Sequence, residues 1–161
     1  MIYEPDRVVQ DFAQRTQDNL TAIRRLQAER QPVYEVTQLV NSLLGLLVFP
    51  REAFFEVIPR TPLHQLGREG WPIPRVVGGF EPPRDLRDLI RLLRNAVAHF
   101  NIEFLPEAGA DTRPEIAGLR VWNTRPNSTQ KTWEAELSIA DLEGITERVL
   151  ALVIKINGRT P

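Results

Sequence analysis

The chain has 161 residues, of which 42% are hydrophobic and 25% charged, and its formal net charge is −1 at neutral pH. This length suits one domain and is sufficient to bury a hydrophobic core. The balanced charge excludes a protein that coats nucleic acid through bulk positive charge, so any contact with RNA or DNA should be local. The absence of cysteine excludes disulfides, thiolate metal sites and cysteine nucleophiles.

The sequence does not indicate a membrane protein or an exported one. Its longest apolar run, residues 43–49, is far too short to cross a bilayer. The first residues lack the basic region and apolar stretch of a secretory signal. Together with the lack of cysteine, these features predict a cytoplasmic protein without a membrane partner.

Two helices are predicted before residue 50. Residues 6–29 should form one long helix, because apolar residues recur near helical spacing in a mostly polar segment. Pro32 is placed as the first residue of the second helix, where proline is tolerated. This second helix is apolar along one broad face, which predicts that it is the most buried element.

Proline and glycine concentrate in residues 50–83, which hold seven of the thirteen prolines and four of the nine glycines. This composition argues against long regular structure there, apart from a turn or two of helix around residues 52–58. We expect either a long ordered loop or a mobile flap.

The remaining elements follow from a change of hydrophobic period. A third helix is predicted from Pro82-Pro83 to about Phe100. Residues 101–137 then alternate and form a β insertion, either a hairpin or a three-stranded meander, with strands at 102–105, 119–123 and 132–137 and a turn at 125–129. Ser138 should cap the last helix, with Asp141 in its first turn and Asn157-Gly158 at its end.

The predicted fold class is therefore mainly α. It is a bundle of four to five helices, with a small antiparallel hairpin or meander inserted before the last helix. Trp122 and Trp133 are expected to pack as cross-strand partners, while Arg120, Arg125 and Lys131 on the same hairpin are candidate RNA contacts.

The third helix has two different faces on a helical wheel. Its apolar residues share one side: Leu86, Leu89, Ile90, Leu93, Val97 and Phe100. Asp88, Arg91, Asn95 and His99 form a polar stripe on the other side, and Arg94 lies on the flank. Ala96 and Ala98 beside this stripe are small enough to let a second helix approach closely.

The end of this helix, Arg94-Asn95-Ala96-Val97-Ala98-His99, resembles the Arg-x(4–6)-His motif of HEPN-domain proteins. That family comprises small helical bundles and includes many metal-independent endoribonucleases of toxin–antitoxin, antiphage and CRISPR systems. Asn95 matches the polar residue that often follows the arginine, and residues 38–50 also resemble segments of HEPN proteins. The resemblance implies a single HEPN-like domain over residues 1–161, with the 50–83 loop and the 101–137 β insertion as elaborations.

The resemblance also implies a reaction. His99 would act as general base or acid in the attack of a ribose 2′-hydroxyl on the adjacent phosphate, which leaves a 2′,3′-cyclic phosphate. Arg94 would stabilise the negative charge, and Asn95 would orient the imidazole or the phosphate. Arg91, Arg87 and Glu103 are predicted to bind the substrate.

The implied partners are an RNA substrate, a second copy of the chain bound through the face of the helix at 84–100, and an antitoxin or activator protein. No metal or other cofactor is expected. HEPN toxins that a nucleotidyltransferase silences have a modified tyrosine two residues after the histidine, whereas this chain has Asn101, so control by that modification is not expected.

Two other interpretations stay open. The chain is a non-catalytic HEPN-like module for dimerisation or for RNA or protein binding, or it is an unrelated helical bundle. In the last case His99 interacts with the helix dipole and Arg94 pairs with Asp88 or Glu103.

Overall fold

Six helices and one antiparallel sheet make up residues 5–48, 52–106 and 116–157, the part of the chain that the computed structural model describes. The helices are α1 (Pro5–Ala28), α2 (Glu35–Val48), α3 (Glu52–Val57), α4 (Leu63–Arg68), α5 (Leu86–Ala98) and α6 (Ile139–Asn157). The strands are β1 (Arg75–Val76), β2 (Ile102–Pro106), β3 (Ile116–Thr124) and β4 (Lys131–Ser138), in the sheet order β1-β4-β3-β2. A mainly helical fold with an antiparallel sheet is confirmed, but the expected four to five helices are six and the sheet has a fourth strand.

The long helices pack against one another as a bundle, and the sheet packs against part of it. Helix α2 contacts α1, α5 and α6, while α5 and α6 also pack against the sheet. Leu142, Ile145, Val149 and Val153 of α6 are buried as the apolar stripe predicts. Within the described residues, no helix is both long and apolar enough to cross a membrane.

Side chains alternate across the two central strands. Leu119 and Val121 of β3, and Trp133, Ala135 and Leu137 of β4, are buried against the helices. Trp122 is opposite Glu134, and Trp133 is opposite Asn123. The predicted partnership of the two tryptophans is therefore wrong, because successive residues of a strand point to opposite faces. The Lys131 ammonium instead lies 4.8 Å from the centre of the Trp122 ring.

Two helices begin later than predicted. Helix α1 ends at Ala28, Arg30 follows with a left-handed backbone (φ 57°), and Pro32 lies in the connection before α2, which begins at Glu35. Helix α5 begins at Leu86 because the Asp85 carboxylate accepts a hydrogen bond from the Asp88 amide at 2.9 Å. A proline permits a helix start, whereas a capping side chain stabilises one by bonding an unpaired amide.

The proline-rich segment holds more regular structure than a loop or flap. Helix α3 confirms the turns expected around residues 52–58, but α4 and β1 were not predicted. Pro62 precedes α4 in an extended conformation, and β1 pairs with β4 through Arg75 and Val76. Helix α6 is described up to Asn157, and Gly158, which the sequence predicts at the end of this helix, lies outside the described residues.

The start of α6 has the predicted cap. Ser138 Oγ accepts a hydrogen bond from the Asp141 amide at 3.1 Å, and the Asp141 carboxylate accepts one from the Ser138 amide at 2.9 Å. Ser138→Ala should lower the free energy of unfolding by about 1 kcal/mol, while Ser138→Asn should retain most of it because asparagine also caps well. Urea denaturation of both variants checks this, and equal losses of stability in Ser138→Ala and Ser138→Asn would contradict a capping role of Ser138.

Arg120 holds a small charge cluster on the outer face of the sheet. Its guanidinium donates to Glu136 at 2.8 Å and to Glu103 at 3.0 Å, and Glu136 also pairs with Arg75. The hydrogen bond from Arg120 lowers the pKa of Glu136 below its ordinary value. The folded state then binds protons less readily than the unfolded chain, so this pairing stabilises the fold above about pH 4.5 and is lost as the pH falls through the lowered pKa.

Glu136→Gln should therefore flatten the acid dependence of stability. The difference in urea midpoint between pH 7 and pH 3.5 should be smaller in Glu136→Gln than in the wild type. Glu29→Gln, at an exposed site whose ion pair with Arg25 is long (3.9 Å), is the control and should leave the difference unchanged. Equal acid dependence in Glu136→Gln and Glu29→Gln would contradict the assignment.

Candidate functional site

The C-terminal end of α5 exposes His99. The His99 amide donates to the Asn95 carbonyl at 3.1 Å, and the Asn101 amide returns to the Ala96 carbonyl at 2.8 Å. Between them Phe100 adopts a left-handed backbone (φ 56°), a conformation that usually selects glycine at a helix end. This sharp turn leaves the His99 side chain exposed and Phe100 74% exposed.

His99 lines a groove of about 670 Å³ between the end of α5 and the turn that joins β3 to β4. The groove includes Asn95, Asn101, Asn123, Arg125 and Asn127. Among the residues that the structure describes, its lining contains two basic side chains, His99 and Arg125, and no carboxylate. An anionic ligand would therefore meet no fixed negative charge there.

Two hydrogen bonds join the walls of this groove. The Asn123 side-chain nitrogen donates to the Leu92 carbonyl of α5 at 3.0 Å, and the Trp122 amide donates to the Asn101 carbonyl at 3.2 Å. The β3–β4 turn is thereby fixed relative to the end of α5. The predicted turn itself is present, with the Ser128 amide bonded to the Arg125 carbonyl at 3.1 Å.

Arg94 is not among the described residues that line this groove. Its guanidinium lies 5.5 Å from the centre of the Phe55 ring of α3 and donates to the Asn95 side-chain oxygen at 3.2 Å. The Arg94 guanidinium therefore contacts Phe55 and Asn95, whereas His99 lines the groove. Asn95 connects the two, because it binds Arg94 and also lines the groove.

The structure does not bring the three predicted substrate-binding residues together with His99. Arg91 is exposed on α5 beside Arg84 and Arg60, at a separate depression. Arg87 donates to the Ile58 carbonyl at 2.9 and 3.0 Å, and so anchors the segment after α3. Glu103 lies on β2 and pairs with Arg120.

The structure also bears on the interpretation in which Arg94 only pairs with Asp88 or Glu103. Asp88 is held by Arg84 at 3.4 Å, and Glu103 by Arg120, so both carboxylates offered as partners of Arg94 are held by other arginines. Ala96, expected to face a second helix, is fully buried in the chain's own core, and only Ala98 of the two alanines is exposed.

A comparison with protein families supports the resemblance of the chain to HEPN proteins. The family model described as HEPN pEK499 p136 matches residues 1–159. The chain belongs to this HEPN family. No curated protein and no solved structure matches the chain significantly. Membership of the HEPN family suggests a nuclease or an RNA-binding module.

Most groove residues outside α5 could not be recognised from this HEPN sequence. The sequence predicts Arg125 as a candidate RNA contact, but it does not predict Asn123 or Asn127 as site residues. One signal was present, because Asn123 occupies the helix-facing side of β3, where Leu119 and Val121 are apolar. A buried amide in an apolar row costs free energy unless it is hydrogen-bonded, which marks such a position as special.

The described part of this HEPN chain offers no metal centre, since no three histidine, aspartate or glutamate side chains within it come together as ligands. His64, the second histidine of the chain, is exposed on α4 and does not line the His99 groove.

Proposed function

We propose that this chain is a cytoplasmic, metal-independent HEPN endoribonuclease that cleaves RNA to a 2′,3′-cyclic phosphate and a 5′-hydroxyl end. One observation carries the proposal: an exposed histidine at the expected motif position lines a polar groove that has an arginine and no carboxylate among its described lining residues. Such a groove suits the approach of a phosphodiester, and imidazole gains and loses a proton near neutral pH.

In the proposed reaction His99 accepts the proton of the ribose 2′-hydroxyl while its oxygen attacks phosphorus. The bond from phosphorus to the 5′-oxygen breaks, and the leaving oxygen takes a proton from a second acid. A positioned general base contributes about 10²–10⁴-fold to such a step. Arginine suits the added negative charge because its fork of donors never loses its own charge.

In this proposal a homodimer supplies the second acid and brings Arg94 to the reaction. Since Arg94 is not among the described residues that line the His99 groove, the motifs of two copies would need to meet across the exposed face at 84–100 to complete the site. One His99 would then act as base and the other as acid. We further place the protein in a toxin or antiphage system that includes an antitoxin or activator protein, and growth arrest on expression, relieved by Arg94→Ala, is the expected sign.

Cleavage in the presence of EDTA tests the proposal. End-labelled tRNA and mRNA are incubated with the wild type and with His99→Ala, and the new 3′ ends are examined for cyclic phosphate. We expect cleavage by the wild type alone. Cleavage that EDTA abolishes, or ends that carry a 3′-hydroxyl, would refute this chemistry.

Arg94 is not among the described residues that line the His99 groove, which favours a second candidate, a non-catalytic HEPN module that binds RNA. That module would bind RNA equally well with and without the His99→Ala change, and neither protein would cleave. Binding measured beside cleavage on the same RNA distinguishes the two functions.

A further inference from the structure

The groove beside His99 is unusual for its density of neutral polar side chains. Four asparagines line it, namely Asn95, Asn101, Asn123 and Asn127, together with the hydroxyls of Thr124, Ser128 and Thr132. Arg125 and His99 are the basic residues of the described lining and suit one phosphate, but the other lining residues are uncharged and have no role in binding an anion. Side-chain amides instead match ligands that carry donors and acceptors next to each other.

Two of these amides have a fixed orientation. Asn123 is 8% exposed, and its side-chain nitrogen donates a hydrogen bond to the Leu92 carbonyl, which leaves its side-chain oxygen as an acceptor. Asn95 accepts a hydrogen bond from Arg94 through its oxygen, which leaves its nitrogen as a donor. The wall formed by α5 and β3 therefore presents both a donor and an acceptor whose positions are set before any ligand binds, which reduces the cost of binding.

A nucleobase is the ligand that these features fit. Base edges are neutral and place hydrogen-bond donors beside acceptors, and asparagine is a common partner of such edges. A volume of about 670 Å³ lies within the range of small-molecule pockets. Leu92 and Pro126 supply apolar surface for the flat face of a base, and Arg125 at the exposed turn can reach the phosphate that follows.

We propose that this groove reads one unstacked base of single-stranded RNA, with Asn95 and Asn123 on the base edge and Arg125 on the adjoining phosphate. The inference rests on the proposed function for its choice of RNA, and it adds that recognition depends on base identity at one position. A duplex would be excluded, because pairing occupies the Watson–Crick edge of a base and the deep, narrow major groove of A-form RNA is closed to side chains.

Binding of four non-cleavable 2′-O-methyl homopolymers, of A, C, G and U, tests the inference without any need for catalysis. Fluorescence anisotropy should show that the wild type prefers one base over the others by about 10-fold, the size expected from one good pair of hydrogen bonds. Asn95→Ala and Asn123→Ala should reduce this preference. Arg125→Ala should weaken binding of all four to a similar degree.

Two further variants serve as a second test and as a control. Asn127 has a positive φ of 55°, so Asn127→Gly removes another amide of the groove without straining the turn. Asn127→Gly should also reduce the base preference, and it replaces Asn123→Ala as the test if circular dichroism shows that Asn123→Ala is unfolded. Arg25→Ala removes an equal charge from an exposed site on α1 and should leave binding unchanged.

Several outcomes would overturn the inference: equal affinity for the four homopolymers, an equal effect of Arg25→Ala and Arg125→Ala, or an altered oligomeric state in place of altered RNA binding. The two proposals can fail separately. Base-selective binding without cleavage supports the base-reading groove and refutes the endoribonuclease. Cleavage without base selectivity supports the endoribonuclease and refutes the base-reading groove.

Discussion

His99→Ala is expected to slow RNA cleavage by about 10²–10⁴-fold, the contribution typical of a positioned general acid or base. The change removes the imidazole that would accept the 2′-hydroxyl proton. It should not disturb folding, because the His99 side chain is exposed and the residue joins the helix end through its backbone amide. Loss of activity with an unchanged urea midpoint would therefore report on chemistry.

His64→Ala provides a matched control for this experiment. His64 is also exposed, but it lies on α4 and does not line the groove. Initial rates on the same end-labelled RNA should be equal for His64→Ala and the wild type. If His99→Ala cleaved at the wild-type rate, His99 would have no part in the reaction.

Gly118→Ala should lower the free energy of unfolding by about 1–3 kcal/mol, the usual cost of forcing an extra carbon into a packed site. Gly118 is buried in β3 opposite Ser138, and a β-carbon there would lie 2.3 Å from the Leu137 carbonyl oxygen. That oxygen belongs to the backbone of β4, so the two strands themselves must separate. The same movement would disturb the adjacent cap of α6.

Gly67→Ala is the matched control for Gly118→Ala. A β-carbon at Gly67 of α4 would meet nothing within 4 Å, and its φ lies outside the left-handed region. Alanine there should instead stabilise the fold by about 0.4–1 kcal/mol, because it restricts the unfolded chain. Equal urea midpoints for the two variants would show that the close approach of β4 to Gly118 has no energetic consequence.

The elements that the sequence predicts well are long or strongly periodic. Helix α1 and the strands β3 and β4 follow from spacing alone, because each buries one face. Helix α4 and strand β1 are too short to show a period, and their stability comes from distant contacts such as the pairing of β1 with β4. The first residue of α5 depends on the Asp85 side chain rather than on the preceding prolines.

The site was predictable only on its helical side. A helical wheel separates Asn95 and His99 from the apolar face of α5, and the structure places both at the groove. The wheel does not reveal what lies opposite them. The β3–β4 turn is about thirty residues away in sequence and reaches α5 through the Asn123 bond to Leu92. Nor does it show that Arg94 turns toward Phe55.

Strand β1 also has a consequence for solubility. Its two residues cover part of the outer edge of β4, an eight-residue strand whose unpaired backbone would otherwise offer a template for other chains. Pro74 immediately before β1 and Gly78-Gly79 soon after it keep β1 too short to become such a template itself. The proline and glycine content that hides this strand from sequence patterns therefore guards the sheet against edge-to-edge aggregation.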